Sequence, residues 1–186
     1  AVEAMMKVNP TWDRRPVIVH AQLISDKDLP RFKQLGVIAN IQPLWCYLDP
    51  MNKELILPRI GQSRNDRQYR LRTMLDKGVM IAFGSDWPVT SELPLRALAV
   101  PVHRASPDAP RGQGWNMAEA ITMEESLTFY TANVAYQLFR ENERGKLEIG
   151  MLADFIVLDK NPLKIDLREI ADIVIRAVYQ KGIQVR

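Results

Sequence analysis

The sequence contains few of the side chains that form disulfides or bind metals. Cys46 is its only cysteine, so no disulfide forms within the chain, and a reducing compartment, the cytoplasm, is predicted. There is no run of about 18 apolar residues, so no transmembrane helix and no membrane partner are expected. The first residues, AVEAMMKVNP, do not resemble a signal peptide and have the pattern of a helix end. We therefore expect a truncated or processed chain.

The charge is nearly balanced, with 25 lysines and arginines against 22 acidic residues. The densest basic cluster consists of Arg59, Arg64, Arg67, Arg70 and Arg72. It has two interpretations: a nucleic-acid patch, or a solvated helix face with a few ion pairs. Acidic residues interrupt the cluster and no aromatic-rich RNA motif accompanies it, so no nucleic-acid partner is expected.

Three apolar segments predict strands. They are PVIVHA at 16–21, GVIANIQP at 36–43 and GVMIAFGSD at 78–86. All three are rich in valine and isoleucine and do not alternate with polar residues, which is typical of parallel strands buried on both faces. Helical patterns lie between and after them: one capped by Ser25 and Asp28, one over 66–77 and one after Pro94. This alternation of strand and helix predicts an α/β fold.

Two segments lack periodicity and are predicted to be loops, 44–63 and 106–115. Thr122 and Glu125 then form the capping-box pattern of a further helix. Beyond Gly145 the segments 154–162 and 172–185 are strand-like, and the second is broken by Lys181-Gly182 as a hairpin turn. A small β unit is therefore predicted after Gly145.

Polar side chains stand where the predicted strands end. His20 ends the first strand, Asn40 and Gln42 end the second, and Asp86 ends the third. Parallel α/β sheets gather their reactive groups at the carboxyl ends of the strands, so these residues are expected on one rim. A histidine and an aspartate there suit a divalent metal such as Zn²⁺. Their structural alternatives are a hydrogen-bonded histidine and a turn-capping aspartate.

Several longer stretches resemble one enzyme family, in the family's own order. IVHAQ and FGSDWPV are similar to the sixth- and eighth-strand motifs of the amidohydrolase superfamily, in the branch called amidohydrolase family 3 (YtcJ-like proteins and N-substituted formamide deformylases). LGVIANIQPLW resembles the seventh strand and its loop. SLTFYTANVAYQLFRENERGKLEIGMLADFIVLDKNP resembles the segment that leaves the barrel and finishes a small β-sandwich. The resemblance covers almost the whole chain.

The resemblance implies an α/β fold in two parts. Residues 1–144 would be the C-terminal part of a (β/α)₈ TIM barrel, strands six to eight with their helices, and residues 145–186 the C-terminal part of a small β-sandwich domain. It also implies hydrolysis of C–N bonds in amide-like or cyclic amide substrates by water activated at a divalent metal, with zinc expected. His20 matches the family's sixth-strand metal ligand. Asp86 matches the aspartate that contacts metal and carries the proton from water to the leaving group.

The chain also departs from the family. The His-x-His pair of the first strand, the bridging group of the fourth and the histidine of the fifth have no counterpart. His103, the only other histidine, falls in a predicted helix. We therefore expect an incomplete metal site in this chain alone, which leaves open whether it binds a metal, and association with a missing N-terminal half or with copies of itself.

Four further residues are candidates for binding a small amide-like substrate. Trp45, Tyr47 and Trp87 are candidates for the pocket lining, with core packing as the alternative. Arg104 is a candidate for an anionic substrate group, with a surface ion pair as the alternative. A different class of function also stays open, that of a non-catalytic regulatory or binding protein on a degraded amidohydrolase barrel.

Overall fold

Three short strands form a parallel sheet in the order β1–β2–β3. The computed structural model describes residues 1–9, 11–109 and 112–186. The strands are β1 (Val17–Val19), β2 (Ile38–Ile41) and β3 (Met80–Phe83). Val19 is paired with Asn40, and Asn40 with Ala82, so the three strands end at the same edge of the sheet. The predicted parallel α/β arrangement is confirmed.

Helices connect the strands and follow them. In chain order they are α1 (Val2–Val8), α2 (Leu29–Gln34), α3 (Leu57–Ile60), α4 (Gln62–Asn65), α5 (Leu71–Asp76), α6 (Pro94–Leu98), α7 (Val100–His103), α8 (Met123–Tyr130) and α9 (Ala132–Gln137). Short 3₁₀ turns lie at Pro43–Trp45, Met117–Glu119 and Leu167–Asp172. Within the described ranges, none of these helices has the length and apolar character needed to cross a bilayer.

The segment 44–63, predicted to be a loop, is mostly helical. A π-helical turn, Asn52–Ile56, continues directly into α3, and α4 follows after Gly61. The Asp49 carboxylate accepts a hydrogen bond from the backbone N–H of Asn52 at 3.0 Å and so satisfies a donor in the first turn. This capping makes a helical start possible without a periodic apolar pattern. The other predicted loop, 106–115, includes residues 110 and 111, which lie outside the described part of the chain.

Two helix starts differ from the sequence prediction, and one agrees with it. The helix predicted over 66–77 is only α5, because Tyr69 takes a left-handed conformation with φ 50°. Asp28 precedes α2 but forms no side-chain cap; it accepts a hydrogen bond from the Ser25 hydroxyl instead. At α8 the predicted capping box is confirmed, since Thr122 and Glu125 each accept a hydrogen bond from the other's backbone N–H.

The three strands differ strongly in burial. All four residues of β2 are buried, whereas Val17, Ile18 and Val19 of β1 are 37%, 41% and 56% exposed. The prediction that every strand is buried on both faces is therefore wrong for β1. The physical reason is that β1 ends the sheet without the helix packing that α8 and α9 give to β3 at the other end.

The opposite edge, at β3, is partly covered. The Asn133 side chain of α9 donates a hydrogen bond to the backbone carbonyl of Ile81 at 2.7 Å. Phe83 packs edge-on against Phe129 and Tyr130 of α8, with ring centroids 5.3 and 5.2 Å apart. The outer edge of β3 is thus partly covered by α8 and α9, although, like that of β1, it pairs with no strand of the described chain.

The C-terminal strands form a separate antiparallel sheet. They are β4 (Phe155–Leu158), β5 (Ile175–Gln180) and β6 (Ile183–Gln184), in the order β4–β5–β6. Lys181 and Gly182 both have positive φ, 51° and 79°, as a two-residue type I′ hairpin turn requires. The predicted β unit with its hairpin is confirmed. A second apolar cluster, which includes Leu98 and Ile170, joins this part of the chain to α6.

The arginine before β1 ties the sheet to α9. The Arg15 guanidinium donates to both carboxylate oxygens of Glu141, at 2.9 and 2.5 Å, and to the backbone carbonyl of Tyr136. It also stacks over the rings of Tyr136 and Phe139. Its hydrogen bonds hold the pKa of Glu141 at about 2, below the ordinary value of 4.5.

The exposed edge of β1 predicts self-association of the isolated chain. A lysine on an edge strand opposes pairing with another strand. We therefore expect the wild-type chain to scatter light as a species larger than its 21.3 kDa monomer, and Val19→Lys to shift it towards the monomer. Leu147→Lys, at a site 79% exposed and outside both sheets, is the matched control and leaves association unchanged. A stable 21.3 kDa wild-type monomer would contradict the prediction.

The Arg15–Glu141 pair predicts a pH dependence of stability. Because the pKa of Glu141 is lowered by folding, its contribution is fully present above pH 4.5 and is lost as the pH falls towards 2. In Glu141→Gln, the urea concentration at the unfolding midpoint is expected to fall less across that pH range than it does in the wild type. Glu143→Gln, which removes an exposed pair with Arg140, serves as the control. Parallel pH curves for wild type and Glu141→Gln would refute the linkage.

Candidate functional site

Two residues that are 66 positions apart meet at the carboxyl edge of the parallel sheet. His20 directly follows β1, and Asp86 lies three residues beyond β3. The His20 Nε2 atom is 3.0 Å from Asp86 Oδ1. Both residues take left-handed backbone conformations, with φ 52° and 69°. Residues other than glycine rarely adopt this conformation, and where they do, they often lie at functional sites. Their side chains are 48% and 20% exposed, so the pair is open to a ligand.

The second carboxylate oxygen of Asp86 also has a partner. Trp45 ends the 3₁₀ turn that follows β2, and its indole Nε1–H donates to Asp86 Oδ2 at 3.2 Å. Residues that follow all three strands of the sheet therefore converge on one carboxylate.

A cleft of about 140 Å³ opens beside this carboxylate. Besides His20, Trp45 and Asp86, it is lined by Gln22, Met51, Ile56, Asp49, Asn52 and Tyr69. Asp49 and Asn52 are 7% and 1% exposed, and the Asn52 Oδ1 atom is buried without a hydrogen-bond partner. Burial raises the pKa of the Tyr69 hydroxyl well above its ordinary range. Sequence reasoning missed these lining residues; the Asp49-Pro50 pair was the one available sign of a helix start.

The polar residues at the end of β2 lie close to the rim but bond to one another. Gln42 donates to Asn40 Oδ1 at 2.7 Å, and Asn40 donates to Gln137 of α9 at 2.9 Å. Gly84 lies against this pair, and a Cβ atom there would come within 3.3 Å of Asn40 Oδ1. Glycine before Asp86 therefore allows β3 to approach the amides of its neighbour closely.

The four residues predicted to bind substrate are placed in three different environments. Trp45 contacts Asp86 in the cleft. Trp87 directly follows Asp86 in the sequence and is 66% exposed. Tyr47 and Arg104 instead line a second, wider cleft, together with Trp115. The structure thus brings only Trp45 to the His20–Asp86 pair.

Arg104 is fully buried rather than on the surface. Its Nε and one terminal nitrogen donate to the backbone carbonyls of Trp115 and Tyr69, both at 3.0 Å, and its guanidinium lies 5.2 Å from the centre of the Trp115 ring. Its other terminal nitrogen is buried without a partner. Burial lowers the pKa of this guanidinium. The alternative of a surface ion pair is therefore wrong, because the partners are carbonyls in the interior. Its predicted contact with a substrate anion stays a prediction.

The His20–Asp86 pair fits part of a metal site. One nitrogen and one oxygen donor 3.0 Å apart suit two ligands of one Zn²⁺, each of which binds at about 2.0–2.2 Å. A complete site needs three or four protein ligands. In residues 1–9, 11–109 and 112–186, no three histidines, cysteines or acidic residues cluster so that they can hold a metal. His103 lies on α7, where its Nδ1 accepts from the backbone N–H of Ala105.

In α/β enzymes with parallel strands, the reactive side chains lie at the carboxyl edge of the sheet, as His20 and Asp86 do here. Comparison with known proteins identifies the family. The sequence model of amidohydrolase family 3 matches residues 1–186. The chain therefore belongs to the amidohydrolase family.

Individual relatives point to the same family. YtcJ of Bacillus subtilis (strain 168), which carries an amidohydrolase name, is 29% identical over 97% of this chain. N-substituted formamide deformylase of Arthrobacter pascens is 30% identical over 62% of it. A metal-dependent hydrolase of Pyrococcus furiosus, known from its crystal structure, superimposes on 88% of the chain with a TM-score of 0.69 and 29% identity. The chain spans 35%, 21% and 31% of these proteins, respectively.

The burial of Arg104 predicts a structural role that can be measured. Arg104→Ala removes two hydrogen bonds to backbone carbonyls and leaves a cavity, so we expect a loss of about 3 kcal/mol in the free energy of unfolding. Arg96→Ala, which removes an exposed pair with Asp108, is the control, with an expected loss of about 0.5 kcal/mol. Urea denaturation measures both, and equal losses would contradict the assignment.

Proposed function

We propose that this chain forms strands six to eight of a (β/α)₈ barrel and the end of a β-sandwich domain in a metal-dependent amidohydrolase. Residues 1–144 are the proposed barrel part and residues 145–186 the proposed sandwich part. The observation that carries the proposal is the contact of 3.0 Å between His20 and Asp86 at the carboxyl edge of the sheet. The open edge of β1 supports it, because in a barrel that edge pairs with a preceding strand.

The proposed reaction is hydrolysis of a C–N bond in a small amide-like or cyclic amide substrate. His20 would hold the metal through its imidazole ring. A divalent ion bound there, with zinc expected, would supply Lewis-acid chemistry that activates water and the substrate carbonyl. The Asp86 carboxylate takes the proton from the attacking water and delivers it to the leaving nitrogen as the C–N bond breaks. Of the residues predicted to line the substrate pocket, we propose that Trp45 lines the cleft beside Asp86.

The remaining ligands are proposed to come from a preceding part of a longer protein. This requires an upstream reading frame that encodes the family's His-x-His pair. The resemblance to N-substituted formamide deformylase makes N-substituted formamides the first substrates to assay.

A second candidate function is that of a non-catalytic binding or regulatory protein. The observation that favours it is the presence of only two adjacent metal-ligand candidates in the described chain. An upstream reading frame without His-x-His would select this candidate.

Asp86→Asn tests the proposed catalytic role. In the complete reading frame that contains these residues, we expect kcat for N-substituted formamides to fall by about 10²- to 10⁴-fold, because asparagine cannot accept and return the proton. The circular dichroism spectrum is expected to stay unchanged. Asp76→Asn, an exposed aspartate paired with Arg72, is the matched control. A kcat equal to that of the wild type in Asp86→Asn would refute the role.

A further inference from the structure

The Asp86 carboxylate is held from two sides by groups of different chemistry. Oδ1 is 3.0 Å from the His20 Nε2 atom, and Oδ2 accepts the Trp45 indole N–H at 3.2 Å. Histidine can change its protonation and can bind a metal. The indole N–H only donates and carries no charge that could change near neutral pH. The two oxygens of this carboxylate therefore have different environments.

The position of Trp45 is fixed by the backbone and by packing. Gln42 and Pro43 begin the 3₁₀ turn, and the Trp45 backbone N–H donates to the Gln42 carbonyl at 3.1 Å. The half-buried Trp45 ring packs against the main apolar core. A tryptophan has only two side-chain dihedral angles, so a packed ring places its N–H with little freedom.

Asp86 itself needs such a restraint. Asp86 lies beyond the end of β3 and has a left-handed backbone conformation. The hydrogen bonds of the sheet therefore do not fix the direction of its side chain. Among the described residues, the only other side chain with a hydrogen bond to its carboxylate is His20, which in the proposed function would bind the metal.

We propose that Trp45 is a positioning residue for Asp86: its indole N–H fixes Oδ2 and thereby the orientation of the carboxylate that transfers the proton. This inference rests on the proposed hydrolase function. It differs from the prediction that Trp45 lines the substrate pocket, because the group that matters is the N–H and its partner is the carboxylate.

The two roles have different kinetic consequences. Loss of a hydrogen bond to a charged group corresponds to about a 10- to 100-fold change in rate. In Trp45→Phe the aromatic ring remains but the donor is lost. A positioning role therefore lowers kcat by about that factor and leaves KM unchanged, whereas a pocket-lining role raises KM.

The hydrogen bond can first be tested in the 186-residue chain without any assay of activity. The chain has four tryptophans, and ¹⁵N-labelled indole groups give one N–H signal each. The Trp45 signal is assigned by its absence in Trp45→Phe. We expect Asp86→Ala to shift this signal more than the signal of Trp12, which is 64% exposed. If Trp45→Phe fails to fold, phenylalanine variants of Trp12, Trp87 and Trp115 assign the other three signals and thereby the Trp45 signal. An unshifted Trp45 signal overturns the inference.

The kinetic test uses the complete reading frame and N-substituted formamides, with Trp12→Phe as the matched control. A fall in kcat of about 10- to 100-fold in Trp45→Phe at constant KM supports the inference. An active wild type whose kcat does not change in Trp45→Phe, or whose KM alone rises, overturns the inference and leaves the proposed function standing. A complete wild-type protein that takes up zinc but hydrolyses no amide overturns the proposed function, and the inference with it.

Discussion

The parallel alignment of β1, β2 and β3 is the constraint on which the candidate site depends. Because the strands run in the same direction, the residues that follow them leave the sheet at one edge. His20, Trp45 and Asp86 lie far apart in sequence, yet each follows a different strand of the same sheet. The contacts of His20 and Trp45 with the Asp86 carboxylate, at 3.0 and 3.2 Å, are thus a consequence of topology. The left-handed backbone conformations of His20 and Asp86 also contribute to them.

The same sheet also shows what the chain needs from outside it. β2 is fully buried and β3 is covered by α8 and α9, but β1 is exposed along its whole length. The side of the site next to β1 is correspondingly open, with His20 48% exposed in its side chain. An open strand edge and a pair of candidate metal ligands occur together on this side. Both would be completed by the preceding strands of a barrel, which is the arrangement we propose.

Much of this could be predicted from the sequence where one local signal sufficed. Valine- and isoleucine-rich runs that end in His20 and Asp86 predicted strands and a shared rim, and Thr122 with Glu125 predicted a helix start.

The exposure of β1 could not be predicted, because an apolar strand has the same composition whether or not a neighbour covers it. The burial of Arg104 depends on carbonyls of Tyr69 and Trp115, which carry no side-chain signal in the sequence. The helical turns after Asp49 lack an apolar period, so their pattern resembled a loop. Trp45 was predicted to line the substrate pocket, but its contact with Asp86 depends on where a 3₁₀ turn ends.

The central claim is that His20 is a ligand in a metal site completed by a longer chain. Mass spectrometry of the metal content of the complete protein, wild type and His20→Ala, tests it most directly. We expect the wild type to retain a divalent metal, zinc first among the candidates, and His20→Ala to lose most of it while keeping its helix and strand content. Equal metal content in the two proteins, or none in the wild type after exposure to zinc, would contradict the claim.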